Sequence, residues 1–233
     1  MSITTTGASS QRINFGNIAG GYVHKLYLVW INRADNLRGT LFGKYNDPYT
    51  QGWAASIENS AGYKLFFSNK FSSTDGLWLS NTTLSTGLQH LAIDYNNSST
   101  SNVPRMFINN VASTVTTSSS PTGTNDEGTG SVTVGDDITA DANYGINGIY
   151  YSVTVLNVLG LSTEQINGII ADAYNSRLAV PSIEMAIFAP QLWTVKDGDA
   201  VGTIRDLISG AAGTPTGSPI GRGDNVLRIE GIN

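Results

Sequence analysis

"TGLQHLAIDYNNSSTSNVPRMFINNVAST", residues 86–114, holds two short apolar runs divided by a polar loop. From Leu88 to Tyr95 the side chains alternate: Gln89, Leu91, Ile93 and Tyr95 point to one side, and Leu88, His90, Ala92 and Asp94 to the other. One face is mainly apolar and the other mixed, the period-two pattern of a half-buried strand. The polar run that ends in Pro104 suits neither helix nor strand. "RMFINN" (105–110) is then a short strand whose Asn109-Asn110 pair suits the left-handed backbone of a tight hairpin. "VASTVTT" (111–117) pairs back from it. A strand, a loop and a hairpin set the fold class as β.

The chain on either side agrees. "HKLYLVWIN" (24–32) is apolar on both faces, with Leu26, Leu28 and Trp30 opposed to Tyr27, Val29 and Ile31. Such a strand is expected to lie between two layers, with Trp30 in the core. "RINFGNI", "GTLFGKY", "GWAASIEN", "YKLFFSN", "GLWLSN", "SVTVG" and "NGIYYSVTVLN" add further strands. "SSSPTGTNDEGTG" (118–130) reads as a low-complexity surface loop. One segment has helical period: Ile166, Ile169, Ile170 and Ala173 form a single stripe. Ser162 is its N-cap, Gln165 completes a capping box, and Leu161 with Ile166 makes a hydrophobic staple. After Pro181, "IEMAIFAPQLW" and the closing "VLRIEGI" are expected strands on either side of a Gly/Pro-rich tail. About a dozen strands and one helix near 162–175 predict an all-β, antiparallel two-sheet sandwich. Residues 1–180 form its core, and residues 181–233 complete the same domain or form a docking arm.

Composition narrows the function. Charged residues are 13% of the 233, about half the ordinary share. The net charge of -5 supplies no basic face for nucleic acid or anionic lipid. No apolar run is long enough to insert in a membrane. The absence of cysteine removes disulfides and thiolate metal sites, as in a protein made in a reducing cytosol. "MSITTTGASSQRINFG" lacks the basic-then-apolar pattern of a secretory leader, and the expectation is synthesis in a cytoplasm without a signal.

Four stretches in order resemble the laminin-G-like, concanavalin A-like lectin-glucanase jelly-roll family. They are "LYLVWI", "GTLFGKYNDPYTQGWAASIENSAGYKLFFSN", "GLQHLAIDYNNSSTSNVPRMFINN" and "SVTVGDDITADANYGINGIYYSVTVLNVLGLSTEQINGII". The resemblance runs from about Arg12 to Tyr174. Where the family carries Trp before its histidine this chain has Leu88, and the family's Asn-Gly turn is Asn109-Asn110 here.

The family's glucan hydrolases carry a Glu-x-Asp-x-x-Glu run, as two flanking carboxylates require. Here Glu58, Glu127, Glu164, Glu184 and Glu230 are scattered, so no enzyme activity is expected. The only histidines are His24 and His90; the family places a structural histidine at His90, expected as a satisfied strand residue. The resemblance implies calcium at the sandwich rim, for which Asp47, Asp136 and Asp137 are candidates. Exposed aromatic platforms for sugar could come from Tyr45, Tyr49, Trp53, Trp78 and Tyr144. Arg222-Gly223-Asp224 and the sequons at Asn81 and Asn97 read as ordinary turns and surface positions. Two roles are compatible with these residues. The first is a structural protein of a virus particle, a bacteriophage capsid-decoration or tail-associated subunit. It would be located in the virion and dock on neighbouring subunits or on itself as a homo-oligomer. The alternative is a carbohydrate-binding, lectin-like adhesion module at an extracellular surface with glycans as partners.

Overall fold

The computed structural model describes residues 2–6, 12–17, 21–46, 49–59, 62–136, 145–175, 204–205, 212–216 and 220–222. In chain order the strands begin β1 (Ser2–Thr6), β2 (Arg12–Asn14), β3 (His24–Arg33), β4 (Gly39–Tyr45) and β5 (Gly52–Glu58). They continue as β6 (Lys64–Asn69), β7 (Gly76–Thr83), β8 (Gly87–Asn96), β9 (Arg105–Ile108), β10 (Val111–Ser113) and β11 (Val115–Ser119). Then come β12 (Ser131–Val134), β13 (Asn147–Asn157), helix α1 (Thr163–Tyr174), β14 (Ile204–Arg205), β15 (Ala212–Thr216) and β16 (Ile220–Arg222).

They form two antiparallel sheets, as the sequence predicts. One has the order β10-β9-β8-β3-β13-β1-β16 and the other β11-β7-β6-β5-β4-β12-β2-β15-β14. Alternation decides what lies between them. Tyr27, Val29 and Ile31 of β3, with Leu91, Ile93 and Tyr95 of β8, face Trp53, Ala55 and Ile57 of β5, Phe67 of β6 and Trp78 of β7. Aromatic rings bridge the layers: Tyr27 lies 4.8 Å from Trp53, Phe67 5.4 Å from Tyr95, and Trp78 4.9 Å from Tyr95, centroid to centroid. Such tilted pairs add directional attraction to the area they bury.

The outer face of the seven-stranded sheet is buried too. Ile166, Ile170 and Ala173 of α1 pack on Leu26, Leu28, Ala92, Phe107 and Leu156. The helix starts with the expected capping box between Ser162 and Gln165. This third layer explains why β3 is apolar on both sides. It also corrects the placement of Trp30. As an even-numbered position of β3, Trp30 points outward, half-buried, instead of into the inter-sheet core. Its Nε1 donates to the carbonyl of Ala173 at 2.9 Å, and its ring stacks on Tyr174 at 5.7 Å. His24 serves the same layer: it bonds Asp94 at 2.7 Å, Asp94 holds Arg105, and Arg105 reaches Asn167 of the helix.

Two further expectations meet the structure differently. Asn109 and Asn110 do adopt the left-handed backbone, with φ of 52° and 63°. "VASTVTT", however, is two strands. β10 pairs back from Val111 opposite Ile108 to Ser113 opposite Met106, next to the start of β9 at Arg105; the chain then crosses at Thr114 and joins β7 of the other sheet. In the tail, β15 pairs with β2 and β16 with β1, while "IEMAIFAPQLW" and "VLRIEGI" lie outside the described residues.

His90 is the second. It sits opposite Trp30 across the β3–β8 pairing and is 0% exposed, yet among the described residues neither ring nitrogen has a hydrogen-bond partner. The expected satisfied histidine is unsatisfied because its neighbours there are the rings of Trp30 and Tyr174. Burial lowers its pKa from 6.5 to about 4. Between those values the unfolded chain takes up a proton that the native protein refuses. Its contribution to stability is therefore complete above pH 6.5 and is lost as pH falls towards 4, by about 3 kcal/mol. Chemical denaturation across this range should show that loss, and His90→Phe should remove it.

Candidate functional site

At one end of the sandwich β4 and β6 finish while β3, β5 and β7 begin, and residues 119–130 cross this end. The sequence reads residues 118–130 as a surface loop; the structure shows that loop hydrogen-bonded as a plug across the sandwich end. Asp126 donates its N–H to the Lys70 carbonyl at 2.9 Å and accepts from the Gly52 N–H at 2.8 Å. Further along, Ser72 N–H donates to Thr124 and Thr122 N–H to Thr74. Isolated bridges join Phe71 to Asn125 and Thr74 to Thr122.

Two side chains fix the plug to buried residues: Asn125 Oδ1 accepts from Asn69 Nδ2 at 2.6 Å, and Glu127 reaches between the sheets. Glu127 accepts from Lys25 Nζ at 2.8 Å and from Trp53 Nε1 at 2.9 Å. Lys25 is an inward-facing residue at the start of β3 and is 1% exposed. Burial lowers the Lys25 pKa, and the Glu127 carboxylate partly offsets that fall. An ion pair this deep attracts strongly but has cost both partners their water, so each depends on the other.

The residue before Glu127 faces the rim. Asp126 Oδ2 accepts from Gln51 Nε2 at 3.4 Å. Gln51 N–H donates to Asn46 Oδ1 at 2.7 Å, and Asn46 Nδ2 donates to Thr50 Oγ1 at 2.8 Å. Two phenols belong to the same connection between β4 and β5, where Tyr49 N–H donates to the Asn46 carbonyl at 2.7 Å. Tyr45, the last residue of β4, shares a hydrogen bond with the Ser68 hydroxyl. Tyr49 meets the Tyr45 ring edge-on, at 5.0 Å and 84°. Its φ of 67° is unusual for a bulky residue and turns the chain back at this point. Tyr45, Tyr49, Gln51 and Asp126 are all half-buried, neither core nor free surface. Two aromatic rings beside two amides, a carboxylate and hydroxyls form a surface that suits a sugar: C–H faces against the rings, hydroxyls against the planar polar groups.

The structure places the rings of Tyr45 and Tyr49, two of the candidate platforms, against each other. Trp53 and Trp78 are not part of the surface. Both are 0% exposed, because their positions in β5 and β7 face the other sheet, and a buried indole offers no face to a ligand. Tyr144, Asp47 and Asp137 lie outside the described residues. Asp136 follows β12 and is 0% exposed, and among the described residues no group of three or more His, Asp or Glu side chains is placed to hold a metal. Sequence reading missed Gln51, Asp126 and Glu127. The signal was there: Asp126-Glu127 are the only charged residues in the polar run 118–130.

No family model matches the chain, and no curated protein does. Solved structures do. A putative carbohydrate binding protein from Bacteroides ovatus is 14% identical with a TM-score of 0.57, over 94% of this chain and 59% of that one. The CBM40 of the Ruminococcus gnavus IT-sialidase, solved with α2,3 sialyllactose, is 10% identical with a TM-score of 0.53, over 72% and 96%. Domains LG4-5 of the mouse laminin α1 chain are 10% identical with a TM-score of 0.51, over 66% and 41%. This chain therefore spans little more than half of the Bacteroides protein and less than half of the laminin fragment. At such identities the likeness shows the fold: a laminin-G-like, concanavalin A-like jelly roll. Phage origin and virion assembly find no support among these neighbours.

Removing the acid should expose the dependence of Lys25 on it. Glu127→Gln is expected to destabilise the protein by about 3–5 kcal/mol, because a buried ammonium is left without its counter-charge. The double variant Lys25→Met/Glu127→Leu should recover most of that loss, as read by urea denaturation midpoints.

Proposed function

We propose that this protein is a non-catalytic, lectin-like module whose Tyr45–Tyr49 rim binds carbohydrate. The observation that carries the reading is the edge-to-face tyrosine pair in the connection between β4 and β5, whose Asn46 and Gln51 are hydrogen-bonded to each other and, through Gln51, to Asp126. The naming of two structural neighbours as carbohydrate-binding supports the same reading. The rim takes its shape from rigid elements: Tyr45 from the end of β4, and Asp126 from a plug bonded to the backbone on both sides. Preformed polar groups of this kind favour a ligand by sparing the entropy of ordering them. The partner on this reading is a glycan displayed on a surface, and the module holds it without cleaving it. The acidic chain offers no electrostatic attraction to nucleic acid or to an anionic bilayer.

A glycan array probed with the full chain, followed by calorimetry on the best binder, tests this directly. Tyr49→Ala and Asp126→Ala should each weaken binding by about tenfold, near 1.4 kcal/mol, with the fold intact. The recovered glycan should be chemically unchanged. Binding that survives both substitutions would move the site elsewhere, and an array without binders would end the proposal.

A further inference from the structure

Two sheets packed face to face leave strand edges open to solvent, unless something pairs with them. β11 (Val115–Ser119) ends the nine-stranded sheet: β7 lies on one side of it, and among the described residues no strand pairs with the other. Thr116, Thr117 and Ser118 are exposed.

The direction of the backbone groups follows from a neighbouring bond. Asn81 N–H donates to the Thr114 carbonyl at 2.8 Å, which makes Thr114 and Asn81 a hydrogen-bonded pair. Antiparallel ladders alternate bonded and non-bonded pairs. Val115 lies opposite Ser80, Thr116 opposite Leu79 and Thr117 opposite Trp78. Thr116 therefore bonds to β7, while Val115 and Thr117 turn their N–H and C=O groups outward. Two donors and two acceptors line this edge. The crossing at Thr114 bounds it on one side, and the irregularity after Thr117 bounds it on the other.

Natural edges are usually guarded by charged side chains or proline. This one is not. No charged residue lies between Arg105 and Asp126, none lies in β7, and the first proline beyond Val115 is Pro121. The edge is also held in place. Asn81 Nδ2 donates to the Thr114 hydroxyl at 2.9 Å, and the Thr116 hydroxyl donates to Asn81 Oδ1 at 2.7 Å. A strand ordered in advance loses less entropy when it pairs.

We infer that β11 pairs with β11 of a second copy of this chain, antiparallel, about a two-fold axis through Thr116. Val115 of each copy then lies opposite Thr117 of the other, and four backbone hydrogen bonds join the two nine-stranded sheets into one. The edge matches itself: an outward-facing residue on either side of Thr116 meets the same pattern turned through 180°. A charged peptide strand finds nothing here to answer its charge, whereas a second copy brings the same uncharged strand in register. It also sets β-branched valine and threonine opposite each other, pairs that favour strand association. So short a contact is a weak one, and pairing depends on concentration. None of this depends on the Tyr45–Tyr49 rim binding sugar.

Sedimentation equilibrium of the full chain at rising concentration tests the pairing. The mass should climb from 24.7 kDa towards twice that value. The axis sets residue 116 opposite itself, where like charges repel and unlike charges attract. Thr116→Glu and Thr116→Lys should each stay monomeric at concentrations where the unsubstituted chain pairs, and an equimolar mixture of the two should regain the dimer. Recovery in the mixture also shows that both variants fold. An unsubstituted chain that remains monomeric up to roughly 1 mM would overturn the assignment. So would dimers that persist in either variant alone, or a mixture that does not recover them.

Discussion

A carboxylate, Glu127, joined by the bond of Asn125 to the buried Asn69, ties the polar end of this molecule to its core. Glu127 comes from a stretch composed almost wholly of Ser, Thr, Gly, Asn and Pro, which has no apolar surface of its own to bury. Such a segment is ordinarily mobile. Here its backbone is bonded to Gly52, Lys70, Ser72 and Thr74, and Glu127 reaches Lys25 and Trp53 between the sheets. Because Asp126 precedes it in the chain, fixing Glu127 inward fixes Asp126 outward, beside Gln51. The end of the core and the wall of the rim are built by two consecutive residues.

That arrangement rests on an ordinary sandwich. Trp53 donates to Glu127 with its indole nitrogen while its ring contacts Tyr27, so one side chain serves both the apolar interior and the polar closure. Lys25 does likewise on the opposite sheet, one residue along from His24, which faces the helix layer. The seven-stranded sheet is covered on both sides, by the second sheet and by α1. The surface proposed to bind carbohydrate lies at the end of the sandwich, where loops project from strands that are already held rigid. Loops on such scaffolds are where recognition is usually found.

Much of this was legible in the residues. Period two gave the strands, the Asn109-Asn110 pair gave the hairpin turn, and Ser162 with Gln165 gave the helix start. Local patterns of this kind depend on near neighbours in sequence. What resisted reading depended on distant ones. Trp30 was taken for core because an apolar residue on a two-faced strand does not reveal which layer it meets, and Trp53 and Trp78 were offered as platforms because exposure is decided by the facing sheet. The pairing of Glu127 with Lys25 spans a separation of 102 residues, and no local pattern announces it. His90 was expected to be satisfied, but its neighbour Tyr174 arrives from the far end of the helix.

The central claim is that residues 119–130 are held closed on the sandwich by Glu127. Native-state hydrogen exchange of the intact protein reads this most directly, at the amides of Thr122, Asp126 and Gly52. If the segment is anchored, these amides exchange orders of magnitude more slowly than in an unstructured peptide, and Glu127→Gln accelerates them before it affects the amides of β3 and β8. Exchange at the rate of a free loop in the unsubstituted protein would contradict the account.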